Sequence, residues 1–299
     1  MCIARLTADL APEAGGFCFN VHRESRLERL TMVPRDETWT SVRRFMHDRC
    51  GVVLDPAPAS TVETRLQALA REYGFRSVDE YVAVACAAFA PQCLVQALIN
   101  TLTSNETWFF RDPSFFDALA CCIVPRVRYQ LDPAEPLRIW CAACSTGQEA
   151  YSVAMLLADR HLALFERAEI IATDVAENVL EQAWTGTYST AEVQQGLKPK
   201  DLQRHFERTH GGYRVGEHLR RRVRFRCGNL LDRCDRTPGY HLILCRNVLG
   251  SFALRNRKRV VQRLYSVLRP GGCIGVGNIE EIQGRRLVPG WYAVQSADA

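Results

Sequence analysis

The sequence predicts an α/β protein: a doubly wound, mostly parallel sheet preceded by a small helical domain and interrupted by an inserted subdomain. Three observations carry this reading. Residues 137–142 form a short apolar strand, 148–162 a helix and 169–174 a second strand, and strand, helix, strand is the pattern of a parallel sheet. Before that unit, from about residue 40, apolar residues recur at three- and four-residue spacing. After it, residues 185–219 are polar and broken by Pro199, Gly211, Gly212 and Gly216, too punctuated for one helix and too long for a plain crossover.

Residues 1–35 show no sustained period and are read as an N-terminal extension. The helical domain is placed at 36–105. Val42, Phe45 and Met46 share one face, and Val62, Leu66 and Leu69 another. Ser77 with Glu80 forms a capping box that opens a helix running through Tyr81, Val84 and Phe89 until Pro91 stops it, and Leu94, Leu98 and Leu102 continue the habit. The main domain spans 106–299, with the insertion at about 185–222. Asp112-Pro113 reads as an N-cap and first-turn proline, and the helix it opens buries Phe116, Leu119 and Ile123. Further on, 175–184 reads as a helix, 222–226 as an alternating strand, 240–245 as a buried strand and 255–268 as a helix. Arg269-Pro270-Gly271-Gly272 breaks before a strand at 273–277, and 287–295 closes as a hairpin around Pro289-Gly290.

Composition narrows the function. The chain has 299 residues and a formal charge of +5, from 38 Lys and Arg against 33 Asp and Glu, without the dense basic stripe or stacking aromatics of a nucleic-acid binder. No apolar run approaches the roughly 18 residues of a membrane span, and no secretory leader is evident, so a cytoplasmic protein is expected. The 13 cysteines suggest reduced thiols. Cys86, Cys93, Cys121, Cys122, Cys245 and Cys273 sit among small apolar residues and read as buried packing. Cys141 and Cys144 lack a second pair at zinc spacing, and no metal is expected.

The residues able to carry chemistry gather at strand ends. The turn 143–147 joins a strand to a helix and contains Gly147, which suits either close approach to a nucleotide-like ligand or a tight turn without one. Glu149 lies in the first helical turn. Asp174 ends the second strand, where an acidic side chain either grips ribose hydroxyls or caps the next helix. Arg246-Asn247 ends a strand at the same edge, facing the crevice or anchoring a loop. No hydrolytic triad and no His-Glu-x-x-His motif occurs. The arginines at 220–226 suit a docking face or a solvated strand edge.

Together, Asn105-Glu106-Thr107-Trp108-Phe109-Phe110-Arg111, Ala143-Cys144-Ser145-Thr146-Gly147-Gln148-Glu149-Ala150-Tyr151-Ser152, Ala172-Thr173-Asp174, Asn229-Leu230-Leu231, Cys245-Arg246-Asn247-Val248 and Leu268-Arg269-Pro270-Gly271-Gly272 resemble the CheR-type chemotaxis receptor methyltransferases. The resemblance implies the fold of S-adenosylmethionine-dependent methyltransferases. By similarity, Asn105, Thr107, Arg111, Glu149, Asp174, Asn229, Leu230, Arg246 and Asn247 line the S-adenosylmethionine site. Asp174 takes the ribose hydroxyls, Asn229 and Leu230 lie toward the adenine, and Arg111 is the catalytic residue, positioning the acceptor. The implied reaction is methylation of glutamate side chains on a chemoreceptor or receptor-like signalling protein, with the insertion used in docking; another carboxylic acid acceptor, or a catalytically weakened signalling module, is the alternative. The chain departs from the family pattern at Ala143, Gln148 and Ala150. It departs again at Ser251 and Asn278, near the acceptor.

Overall fold

A computed structural model describes residues 36–56, 60–103, 106–232, 239–277 and 280–293. The arm over 1–35, Asn105, Asn278 and Gln295 lie outside these residues. The described residues belong to one compact unit.

Four helices come first: α1 (Asp36–Cys50), α2 (Ser60–Glu72), α3 (Val78–Ala85) and α4 (Gln92–Leu102). Val42, Met46, Leu66, Tyr81 and Leu98 are completely buried between them, each such side chain stabilising the fold by about 1.5–3 kcal/mol. The capping box is half formed. Ser77 accepts the Glu80 amide at 3.1 Å, while the Glu80 carboxylate accepts the Arg76 amide at 2.8 Å. The helix ends at Ala85, short of the expected Phe89, which is 99% exposed. Pro91 disfavours helical geometry for the residue before it, and the alanines at 87, 88 and 90 offer no side chain large enough to dock another turn.

A helical passage follows, made of α5 (Pro113–Ala118), a π-helical turn at Leu119–Ile123 and α6 (Val124–Gln130). The main sheet contains β1 (Leu137–Ala142), β2 (Ala168–Asp174), β6 (Val223–Cys227), β7 (Tyr240–Cys245), β8 (Leu268–Val276), β9 (Arg285–Val288) and β10 (Trp291–Ala293). Their spatial order is β6-β2-β1-β7-β8-β10-β9. Pairing is parallel from β6 to β8 and antiparallel where β10 meets β8 and β9. The chain runs outward from β1 through β2 to β6 and returns to place β7 on the other side of β1. The switch point therefore lies between β1 and β7, and a crevice opens beyond their carboxyl ends. β8 starts earlier than the expected 273, taking in Arg269-Pro270-Gly271-Gly272. Its register against β7 shifts between Tyr240 and Leu242, and Gly271 at φ +79° absorbs the irregularity.

The sheet is flanked by α7 (Gln148–Arg160), α8 (Leu162–Phe165), α9 (Glu177–Thr185) and α13 (Leu254–Ser266). Between α9 and β6 lies a small antiparallel sheet, β3 (Thr187–Tyr188), β5 (Gly212–Val215) and β4 (Phe206–Thr209), with the short helices α10 (Thr190–Gln194), α11 (Pro199–His205) and α12 (Glu217–Arg220). The helical domain is bolted to this layer through α4. Gln96 donates to the Val175 carbonyl at 2.8 Å, and the Asn100 side-chain oxygen accepts the Glu177 amide at 3.1 Å, satisfying an otherwise orphaned amide at the start of α9.

The cysteine expectation needs correction. Cys245 and Cys273 are buried, as are Cys141 and Cys144, but Cys93, Cys121 and Cys122 are exposed and Cys86 is half-buried. Apolar neighbours along a helical sequence occupy different faces, so they do not imply burial for the cysteine between them.

Candidate active site

The loop from β1 to α7 is wound tightly. Ala143, Ser145 and Gly147 all have positive φ, at 60°, 49° and 93°. At Gly147 a side chain is excluded twice, because a Cβ would also stand 2.9 Å from the Ala183 Cβ. At Ala143 and Ser145 the left-handed geometry costs about 1–2 kcal/mol each. Hydrogen bonds to β2 offset it: the Cys144 amide donates to the Thr173 carbonyl at 2.9 Å and the Ser145 amide to Asp174 Oδ2 at 2.8 Å.

Asp174 is 7% exposed, and its other oxygen accepts the Ala176 amide at 3.0 Å. The N-cap of α9 is Ala176, without a side-chain cap, so the carboxylate works as a brace between two loops and not as the helix cap that the sequence also allowed. The Val175 amide also hydrogen-bonds the carboxylate, which still leaves an acceptor position for a ligand. Burial raises the Asp174 pKa, against the hydrogen bonds from the Ala176 and Ser145 amides.

Arg246, at the end of β7, is the buried centre of the crevice. Nη1 donates to Glu149 Oε2 at 2.9 Å, and Nη2 donates to Asp112 Oδ2 at 2.7 Å and to the Arg111 carbonyl at 2.8 Å. Its guanidinium lies 4.1 Å from the Phe115 ring centroid. Arg246 is therefore an anchor, fixing Asp112 at φ 61° and with it the course of residues 110–112. Asp112 gives α5 no side-chain cap, since its carboxylate is engaged by Arg246. Burial also raises the Glu149 pKa, with Arg246 opposing the shift.

Arg111 sits 4.3 Å over the Trp108 ring and donates to the Glu106 carbonyl at 2.8 Å. Among the described residues it has no carboxylate partner within salt-bridge distance. The Asn229 side chain is engaged within the fold: Nδ2 donates to the Arg49 carbonyl at 2.6 Å and Oδ1 accepts the Leu231 amide at 2.9 Å, which ties the loop after β6 to α1.

These groups enclose a cavity of about 360 Å3, and of the residues the resemblance assigns to the cofactor, Thr107, Arg111, Glu149, Asp174, Asn229, Leu230, Arg246 and Asn247 line it. Its outer wall comes from the helical domain, through Cys50, Val52, Val53, Leu54, Leu102 and Thr103. The Val53 amide donates to the Ser251 carbonyl at 2.8 Å, and Val52 bridges to Phe252. No local motif announces this wall. The Glu280 carboxylate accepts the amides of Asn247 at 2.9 Å, Leu249 at 2.8 Å and Gly277 at 2.8 Å. It holds Asn247 at φ 58° on the cavity rim.

The donor set fits S-adenosylmethionine. Asp174 supplies an acceptor for a diol, Glu149 a largely buried carboxylate for a cation, and Leu230 apolar surface for a flat ring. The comparisons agree. Residues 105–292 match the family described as CheR methyltransferase, SAM binding domain, and residues 37–103 match CheR methyltransferase, all-alpha domain. The chain is similar to the chemotaxis protein methyltransferase Cher2 of Pseudomonas putida, at 33% identity over 81% of this chain and 89% of that protein. It is similar to chemotaxis protein methyltransferase 1 of Pseudomonas aeruginosa, at 33% identity over 80% of this chain and 88% of that one. It is also similar to the probable biofilm formation methyltransferase WspC of Pseudomonas aeruginosa, at 39% identity over 62% of this chain and 44% of that protein. Sequence, fold and crevice converge: the chain belongs to the CheR family of S-adenosylmethionine-dependent methyltransferases.

Proposed function

We propose that this protein methylates glutamate side chains of a chemoreceptor or receptor-like signalling protein, with Asp174, Glu149 and the loop 143–147 holding S-adenosylmethionine and Arg111 positioning the acceptor. One observation carries the reading: a cavity lined by the buried Asp174 and the largely buried Glu149 also presents an arginine, Arg111, with no carboxylate partner among the described residues. When bound, S-adenosylmethionine supplies the electrophilic methyl group. The acceptor carboxylate is already a nucleophile at neutral pH, so the protein's task is alignment and exclusion of water. Arg111, splinted by Trp108 and by the Glu106 carbonyl, offers its remaining donors to the acceptor, orienting it without a general base. The helical-domain wall closes the side of the cavity away from the sheet.

Asn105 and Thr107 complete the proposed cofactor set, with Asn229 acting through its hold on the loop that carries Leu230. The helical domain at 36–105 and the insertion at about 185–222 are proposed as separate functional parts, the latter for docking. No described helix is long and apolar enough to cross a membrane, and a cytoplasmic protein recruited to membrane receptors is consistent with that. Similarity to both chemotaxis and biofilm methyltransferases supports an acceptor of the chemoreceptor type.

The test is incubation with methyl-labelled S-adenosylmethionine and receptor proteins from the same cell, followed by mass spectrometry. A glutamyl methyl ester on a receptor is expected, absent with Asp174→Ala. S-adenosylhomocysteine binding without label in any receptor would refute the receptor assignment.

A further inference from the structure

No Asp or Glu occurs between Asp235 and Glu280, and α13, in the middle of that stretch, carries Arg255, Arg257, Lys258, Arg259 and Arg263 without one carboxylate. Two of these cations are engaged within the fold. Arg257 Nε donates to the Leu249 carbonyl at 2.8 Å and Arg263 Nη1 to the Leu230 carbonyl at 3.4 Å. Arg255, Lys258 and Arg259 are exposed and make no ion pair among the described residues.

Such a helix is electrostatically unfavourable in isolation. Arg255 and Lys258 stand near the end where the helix dipole is positive, and no side chain caps that end. Arg255 and Arg259 are like charges one turn apart, as are Arg259 and Arg263, each pair opposing helix formation by about 0.2–0.5 kcal/mol. Burial of Asn256, Val260 and Leu264 holds the helix in place regardless. An ordinary solvated face intersperses both signs; on this one Arg255, Lys258 and Arg259 face no carboxylate among the described residues.

α13 begins two residues after Phe252, directly beyond the turn whose Ser251 lines the cavity and whose Leu249 and Asn247 amides are held by Glu280. A segment that delivers a glutamate past Ser251 runs close to the first turns of this helix. Leu254, 68% exposed, adds an apolar contact at the same end.

We propose that the outward face of α13, formed by Leu254, Arg255, Lys258 and Arg259, is a docking surface for a carboxylate-rich segment of the methyl-accepting protein. The inference rests on the receptor reading above. Nucleic acid is disfavoured because this face carries no aromatic side chain for base stacking. An anionic membrane is the competing occupant and is decided by the test.

The experiment compares the wild-type chain with the charge-reversal variant R255E/K258E/R259E and the neutral variant R255Q/K258Q/R259Q, using a soluble fragment of a receptor that the wild type methylates. Folding and the cofactor site are checked by thermal melting and by S-adenosylhomocysteine titration, both expected to match wild type. The KM for the receptor fragment should rise about tenfold or more on reversal, and less on neutralisation, with kcat and the KM for S-adenosylmethionine within about twofold. The dependence of receptor KM on salt should flatten in both variants. Unchanged receptor KM and salt dependence overturn the proposal, as does loss of binding to vesicles of phosphatidylglycerol and phosphatidylcholine with the soluble fragment methylated normally, which assigns the face to lipid. A wild type that methylates no receptor fragment defeats the receptor reading itself, and this inference with it.

Discussion

Arg246 holds Glu149 at 2.9 Å and Asp112 at 2.7 Å with the two ends of one guanidinium, its side chain only 2% exposed. The fork joins α7 to the segment that carries Arg111, so the wall proposed for the cofactor and the arginine proposed to position the acceptor share one support. A lysine has a single charged centre and cannot span both carboxylates. Arg246→Lys should lower stability by about 3–5 kcal/mol, because one buried carboxylate loses its partner. Urea unfolding measures the loss, and a value below about 1 kcal/mol contradicts this role.

Burial raises the pKa values of both Glu149 and Asp174 from their ordinary values. For each, protonation is easier in the folded than in the unfolded chain. The stability they contribute is full below their unfolded pKa values and is lost as pH rises through the folded ones. A bound cation reverses the preference by favouring the ionised forms. Affinity for S-adenosylmethionine should therefore rise with pH through the mildly acidic range, and binding should release protons there. Calorimetry in buffers of different ionisation enthalpy reads the release directly. Proton uptake, or equal pH dependence for cationic S-adenosylmethionine and uncharged model thioethers, contradicts the assignment.

Ala143 sits at φ +60°, a geometry that glycine adopts freely. Relief of this strain, about 1–2 kcal/mol, exceeds the roughly 0.4–1 kcal/mol of extra unfolded-state entropy that glycine brings. Ala143→Gly should stabilise the protein by about 0.5–1 kcal/mol and leave cofactor affinity within about twofold of wild type. A lower thermal midpoint would show that the methyl group packs usefully in the cavity wall.

The parts of the site legible in the sequence are those the sheet itself assembles. Gly147, Asp174 and Arg246 follow β1, β2 and β7, and adjacent parallel strands bring their carboxyl ends together whatever the helices do. What local pattern does not encode is who holds whom. Asn229 reaches the Arg49 carbonyl across 180 residues of sequence, and Glu280 gathers amides more than 30 positions away. Neither contact leaves a period or a motif. Helix ends were misplaced for a related reason: α3 stops at Ala85 because little remains beyond it to bury, a property of the domain and not of its own propensity. The positions of Cys93, Cys121 and Cys122 similarly depend on which helix face meets the core.

The inserted subdomain grips the active site through Gly196. At φ +94°, this residue lies so close to Phe109 that any Cβ would collide with the Phe109 carbonyl oxygen. Phe109 is completely buried, edge-on to Tyr188 at 5.0 Å and to Phe206 at 5.4 Å. The Tyr188 hydroxyl donates to the Thr146 carbonyl at 2.7 Å. The insertion thus contacts both the segment before Arg111 and the loop before α7. Gly196→Ala adds backbone strain to a clash with another backbone, neither relieved by a rotamer change, and should destabilise by about 3 kcal/mol while weakening S-adenosylhomocysteine binding. Gly211, in the same subdomain, has open space around its Cβ position, so Gly211→Ala should stay within about 0.5 kcal/mol of wild type. Urea unfolding of the pair decides the matter: if both substitutions are equally tolerated, the insertion is a passive appendage, whereas the contrast expected here makes it part of the scaffold that sets Arg111 over the cavity.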